Sequence, residues 1–296
     1  MATSGSTLAR RALGRQMHML RERAAVKQAE AARIIGVSAQ SIGRLEDGQN
    51  TRPNDIFLNI LCDSYGASDK ERRTVLALAH EVRTAHKHGG GWWRGYADQF
   101  IGDFDHYLAL EEAASRLTIW RVSILPGLLQ TPNYRRAIAW AESPDVPTEE
   151  IEKRIEWSTR RQACLDDPCF EVHALLSEAV LRDHAGGPAV MSEQLVRLVE
   201  LSELPNVSVR VVPFAARSIL GSYVGSFSLL EFPPLQQSKT VEPPVVYVEE
   251  YAGDLYLEQD EDVNRYRRAL REIDRVALEQ EKSRAFILAV AKEYGE

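Results

Sequence analysis

VKQAEAARIIGVSAQSIGRLEDGQNTRP, residues 26–53, decides how this chain is read. Ala29, Ala32 and Ile35 recur at three-residue spacing and are expected to face inward from a short helix. Gly36 follows, and glycine ends a helix in the left-handed region without a Cβ penalty. Val37 is expected to fill the angle between two helices, and Ser38 to cap the second through its hydroxyl. Ile42 and Leu45 anchor that second helix, which leaves Ala39, Gln40, Ser41 and Arg44 on the outer face. A second helix held by a tight turn against a first is how a small domain presents side chains to the DNA major groove. Gln reads an adenine edge, Arg a guanine, and an Ala methyl meets a thymine methyl, so these four are the expected base readers. Gln28 is placed to touch a phosphate or to brace the reading helix, and Lys27, Ser38, Arg15 and Arg52 are the further candidates for backbone contact or bracing.

Charge divides the chain in the same sense. Residues 1–90 hold 14 Lys or Arg and 9 Asp or Glu, whereas residues 91–296 hold 22 and 34, so a basic head precedes an acidic body. Such a head meets phosphate while the body repels it. Arg10, Arg11, Arg15, Arg21, Arg23, Lys27 and Arg52 are the phosphate-contact candidates. There is no apolar run near twenty residues, so no membrane span is expected, and a cytoplasmic protein is. Three scattered cysteines, Cys62, Cys164 and Cys169, fit a reducing compartment better than a disulfide framework. No metal site and no cofactor is expected.

The 26–53 stretch resembles the Xre-type, or lambda-repressor-like, helix-turn-helix family. Gln28, Ala32, Gly36-Val37-Ser38, Ile42, Arg44, Glu46, Gly48 and Pro53 carry the resemblance. It implies a five-helix DNA-binding fold over about residues 8–80. Two positions depart from the pattern. Ala31 stands where the family has leucine, and Gly43 lies inside the reading helix, where glycine costs about 1 kcal/mol relative to alanine.

Further along, 55–66 reads as a packing helix with Ile56, Leu58, Ile60, Leu61 and Tyr65, and 69–86 as another, opened by a Ser68/Glu71 capping box. Gly89-Gly90-Gly91 then marks a hinge beside Trp92 and Trp93. An amphipathic helix is expected over 103–120, a Pro126-Gly127 turn, a helix started by Thr131-Pro132, and a helix over 148–165. Strand-like runs occupy 169–176, 207–214, 225–232, 244–251 and 254–258, with helical patterns at 177–184 and 189–203, and two charged helices, 260–277 and 280–293, close the chain. The expected organisation is a mainly α head over 1–86, a Gly/Trp linker over 87–99, and an α+β body over 100–296 with a mostly antiparallel sheet flanked by helices.

The body has its own resemblance. ILPGLLQT with Pro132, Tyr134, Arg136 and Ala137, then PNVSVRVVPF, GSFSLLEF and VVYVEE, is similar to a C-terminal domain of unknown function common in actinobacterial Xre-type regulators. It implies a regulator often encoded beside a small acidic partner protein, in an antitoxin-like arrangement. The residues themselves offer no nucleophile elbow, Cys–His pair, Walker loop or dinucleotide fingerprint, so no catalytic residue is expected and the protein is not expected to be an enzyme. Two readings of the body stand. It senses a small-molecule effector, or it holds a small partner from the same operon and the head autoregulates that operon. Trp92, Trp93, Leu128, Leu129, Tyr134 and Trp140 are the apolar partner or ligand candidates, although the last four also fit an ordinary core. Double-stranded DNA is the expected target. A homodimer is expected because one head reads few base pairs, and paired heads read half-sites about 34–36 Å apart.

Overall fold

The computed structural model describes residues 7–49, 53–85, 104–216, 220–250 and 253–295. The hinge glycines, Trp92, Trp93 and Arg52 lie outside the described residues. Two compact units emerge: one of Met1–Ala97, Asp105–Ala113 and Phe232–Glu242, the other of Asp98–Phe104, Ala114–Glu231 and Pro243–Glu296. They do not follow a single cut in the chain.

The first unit is helical. It contains α1 (Thr7–Arg23), α2 (Gln28–Ile35), α3 (Ala39–Glu46), α4 (Asp55–Ser64), α5 (Asp69–Ala85) and most of α6 (Phe104–Ala113). Among the described residues five helices arise over the expected span, and α6 adds a sixth. Helix α1 runs through the centre, packing on α3 and α5, and buries Ala9, Leu13, Met17 and Leu20. The capping box forms as expected, Glu71 accepting from the Ser68 N–H and Ser68 accepting from the Glu71 N–H.

Two expectations about facing are corrected. Ala29 is exposed, and Ala31 with Ala32 fills the interior instead, because the short helix turns its 28/31/32/35 side inward. In α4 the buried face is Leu58, Leu61 and Cys62, followed by Tyr65, so Ile56 and Ile60 lie on the outer side. Burial pushes the Tyr65 hydroxyl up to about 12.

The second unit is a six-stranded mixed sheet with helices around it. Its strands are β1 (Arg116–Arg121), β2 (Glu171–Ser177), β3 (Val207–Val212), β4 (Phe227–Glu231), β5 (Val245–Glu250) and β6 (Gly253–Leu257), ordered β3-β2-β1-β4-β5-β6. Strands β1, β2 and β3 run parallel, and the remaining neighbours antiparallel. The sheet is therefore mixed: three of its five pairings are antiparallel, and the parallel β1-β2-β3 half is where it departs from the expected mostly antiparallel sheet. Helices α7 (Pro132–Glu142) and α8 (Thr148–Arg161) lie between β1 and β2, and α9 (Glu178–Leu181) and α10 (Pro188–Leu201) between β2 and β3. Such helical connections are what parallel neighbours need. A short helix α11 (Leu220–Val224) precedes β4, and α12 (Asp260–Val276) and α13 (Gln280–Glu293) end the unit.

The expected helix over 103–120 is corrected as well. It ends at Ala113, and residues 116–121 form the central strand β1. The spacing of Leu110, Ala114 and Leu117 imitates a helix, but Leu117, Ile119 and Trp120 are buried within the sheet. Helix α12 covers one face, where Trp120, Leu175, Phe227, Leu229, Val246 and Val248 meet Val263, Leu270 and Ile273. Gly221 is required there: a Cβ on it would stand 2.6 Å from the Trp120 ring, whose Nε1 donates to the Gly221 carbonyl at 3.0 Å. The edge strand β3 is covered by the α12–α13 connection, with the Leu278 N–H donating to Val211 O and Ser283 Oγ accepting from the Val211 N–H.

Candidate nucleic-acid interface

The turn between α2 and α3 is built as its residues dictate. Gly36 adopts φ 69°, and its N–H and that of Val37 close the end of α2. Ser38 is extended and its Oγ accepts from the Ser41 N–H at 3.2 Å, a cap worth about 1 kcal/mol. Ser41 Oγ also bonds Ser38 Oγ at 2.9 Å, so Ser41 is partly committed to the turn.

Helix α3 buries Ile42 and Glu46 and leaves Ala39, Gln40, Ser41 and Arg44 exposed along one side. Among the described residues, the side chains of Gln40 and Arg44 have no hydrogen-bond or ion-pair partner, so their donors are unspent. This is the outward face that base reading requires.

What fixes the direction of α3 is a buried polar cluster at its end. Glu46 Oε1 accepts from Arg21 Nε at 2.6 Å and Oε2 from Arg21 Nη2 at 2.9 Å. Gln28 Nε2 donates to Glu46 Oε2 at 2.9 Å, and His18 Nδ1 lies 3.1 Å from the same oxygen. Arg21 also donates to the Val26 carbonyl at 2.8 Å. Burial alone would raise the Glu46 carboxyl, but the hydrogen bonds from Arg21, Gln28 and His18 outweigh it and hold the group below its ordinary value. The same contact raises the Arg21 guanidinium. Of the two roles expected for Gln28, bracing the reading helix is the one its amide fills.

A second determinant is steric. A Cβ on Gly14 would stand 2.6 Å from the Leu45 carbonyl oxygen and closer still to that of Glu46, so only glycine lets α1 touch the end of α3. Gly48, at φ 64°, likewise packs against the Arg11 backbone. Gly43 is different, because a Cβ there would meet only the Gln28 amide at ordinary contact distance. A glycine inside a helix is the one signal the sequence offers for Gly14, and nothing local in it reveals what that glycine touches.

The arginines expected at phosphates divide. Arg10, Arg11 and Arg21 are buried, Arg21 on Glu46, and so are not presented outward. Arg15 is part-exposed and bonds Glu242, a buried carboxylate within the same unit. Arg23 is paired with Glu71, at 2.5 and 3.1 Å. That contact, with the hydrogen bonds from Ser68, pulls the Glu71 carboxyl down to about 2. Lys27 is exposed at the N-terminal end of α2.

In the second unit the apolar candidates resolve into scaffold. Leu128, Leu129 and Tyr134 are buried, so they are core rather than a docking face. Gln194 holds them from α10, its Oε1 accepting from the Thr131 N–H at 2.6 Å and its Nε2 donating to the Leu129 carbonyl at 2.8 Å. The ILPGLLQTP phrase is thus a buried hydrogen-bonded bend. Trp140 is 37% exposed and remains at the surface.

The geometry of the first unit defines a helix-turn-helix DNA-binding domain, and a family model described as a helix-turn-helix domain matches residues 12–75. A second model, described as a domain of unknown function (DUF5753), matches residues 104–289, more than half of the chain. The chain belongs to the DUF5753 family. No curated protein and no solved structure gives a match.

Proposed function

We propose that this protein is a sequence-specific transcriptional regulator that binds operator DNA as a dimer, with α3 in the major groove. The observation that carries the reading is the exposed row Ala39, Gln40, Ser41 and Arg44 on a helix fixed from behind by the Glu46 cluster. Ala39 meets a thymine methyl, Gln40 and Arg44 read purine edges, and Lys27 contacts phosphate. Dimerisation draws support from α4, whose outer face carries Ile56, Phe57 and Ile60, with Ile56 67% exposed. An apolar face on a DNA-binding unit suits an isologous contact between two copies. The protein acts by occupancy in the cytoplasm, without catalysis, and its second unit responds to an effector.

Genome-wide binding of the intact protein, with a Gln40→Ala/Arg44→Ala double variant as control, tests this. Sharp sites with an inverted-repeat motif, lost in the variant, are expected. Sites that persist unchanged in the variant would overturn the assignment of α3.

A further inference from the structure

The second unit holds a cleft of about 380 Å³ between the sheet and α12 that DNA binding does not use. Its size falls within the range of small-molecule sites, about 300–1,000 Å³. Its floor is one register row across four strands: Ser208, His173, Thr118 and Leu229. On β2, β1 and β4 the next row, Leu175, Trp120 and Phe227, is apolar core, and its β3 member is Arg210. Strands covered by helices are ordinarily apolar where they meet them, so three adjacent polar residues on parallel neighbours break the pattern. The wall breaks it too. Along α12 the positions Arg267, Leu270, Arg271 and Asp274 share one side of the helix and line the cleft.

The polar groups are unevenly spent. Arg116 pairs with Glu171, Arg210 with Asp274, and Arg267 with Glu231, each at 2.5 Å. Arg271 lines the same cleft and, among the described residues, has no ion pair. The hydroxyls of Thr118 and Ser208 have no hydrogen-bond partner among the described residues either. His173 lies 3.5 Å from Glu171 at the rim. Four arginines line the cleft against two carboxylates, Glu231 and Asp274, inside the acidic part of the chain. Leu175, Leu229 and Leu270 supply an apolar side.

We infer that this cleft binds a small amphiphilic anion, a carboxylate or phosphate head on a short apolar body. The inference rests on the reading of the second unit as effector-responsive. The head takes Arg271 and one of the two hydroxyls, Thr118 or Ser208, which stand two strand spacings, about 9–10 Å, apart. The three existing pairs stay intact, and the tail lies against Leu229 and Leu270. A charged head is selected because hydrogen bonds to an ionised acceptor are about twice as strong as neutral ones. The unpaired guanidinium sets the sign of the ligand, and the leucines set its amphiphilic character.

The test is calorimetric titration of the full chain with octanoate, octyl phosphate, inorganic phosphate and octyltrimethylammonium. Saturable binding of octanoate or octyl phosphate at one per chain is expected, and the tighter of the two identifies the head group. Arg271→Glu should weaken that binding roughly tenfold or more, the loss of one charged hydrogen bond. Arg265→Glu, the same charge change on α12 at an exposed position outside the cleft and not within i±4 of Arg271, should leave it within about twofold. Absence of saturable binding, equal binding of the cation, or equal weakening by both variants would overturn the proposal. Inorganic phosphate binding as tightly as octyl phosphate would overturn its amphiphilic part. DNA affinity is read separately by fluorescence anisotropy with the Gln40→Ala/Arg44→Ala variant. Failure of the regulator reading appears there and failure of the cleft appears in the titration.

Discussion

Replacing Glu46 by alanine should loosen the whole DNA-binding unit without touching its outer face. The carboxylate is 3% accessible and the Arg21 side chain 7%, so the variant leaves a buried guanidinium that loses both bonds to Glu46 and keeps the exposed Glu22 carboxylate and the Val26 carbonyl as acceptors. Breaking one side of a buried pair costs about 3–5 kcal/mol, a large share of the 5–15 kcal/mol typical of a domain. The Gln28 amide and His18 lose their acceptor as well. Hydrogen exchange followed by mass spectrometry reads the unit separately from the rest of the chain. Amides of α1, α2 and α3 should exchange on the order of a hundredfold faster or more, at about 1.4 kcal/mol per tenfold. An Arg21→Met/Glu46→Leu double variant should recover much of that protection, because no charge is then left buried. If Glu46→Ala exchanged within about threefold of the parent protein, under about 0.7 kcal/mol, the cluster would not be what holds α3.

Gly14→Ala should cost about 1–3 kcal/mol by forcing α1 away from the Leu45 and Glu46 carbonyls, and a melting temperature equal to or above the parent's would contradict that contact. Gln194→Leu should cost about 2–4 kcal/mol in urea denaturation of the second unit, because the Thr131 N–H and Leu129 carbonyl are left buried and unpaired; an unchanged midpoint would refute it. Glu71 titrates at about 2 in the fold against 4.5 ordinarily. A depressed carboxyl stabilises fully above its unfolded value, so this contribution is present above about pH 4.5 and lost as pH falls towards 2. A carboxyl ¹³C titration should place the midpoint near 2, and a midpoint near 4.5 would remove the Arg23 contact from solution. Arg44→Ala should weaken operator binding by about 1–3 kcal/mol and relax one base position; uniform weakening on every sequence with a shallower salt slope would make Arg44 a phosphate contact.

The parts of the fold that were legible are those where local chemistry decides. Gly36, Ser38, the Ser68/Glu71 box and Thr131-Pro132 each specify a helix end through groups within three residues, and each forms. The outer face of α3 followed from where Ile42 must point. What the sequence hid depends on partners far along the chain. Strand β1 read as helix because its apolar spacing fits both periods, and with β1 hidden the parallel β1-β2-β3 arrangement could not be seen. Arg21 and Arg11 read as surface cations because a charge alone does not reveal a buried acceptor twenty-five or more positions away. The inclusion of 232–242 in the first unit, with Glu242 bonded to Arg15 and Glu81 accepting from the Gln237 and Ser238 N–H groups, has no local signature at all. The cleft residues Thr118, His173 and Ser208 lie on three strands, so only the register brings them into one row.

The most direct test of the central claim is selection of bound duplexes from a random DNA pool by the purified full chain, beside Gln40→Ala and Arg44→Ala. Enrichment of a defined motif is expected, with each variant losing preference at its own base position and retaining it elsewhere. The same motif enriched by both variants at every position, or no motif enriched by the parent protein, would contradict the assignment of α3 as the reading helix.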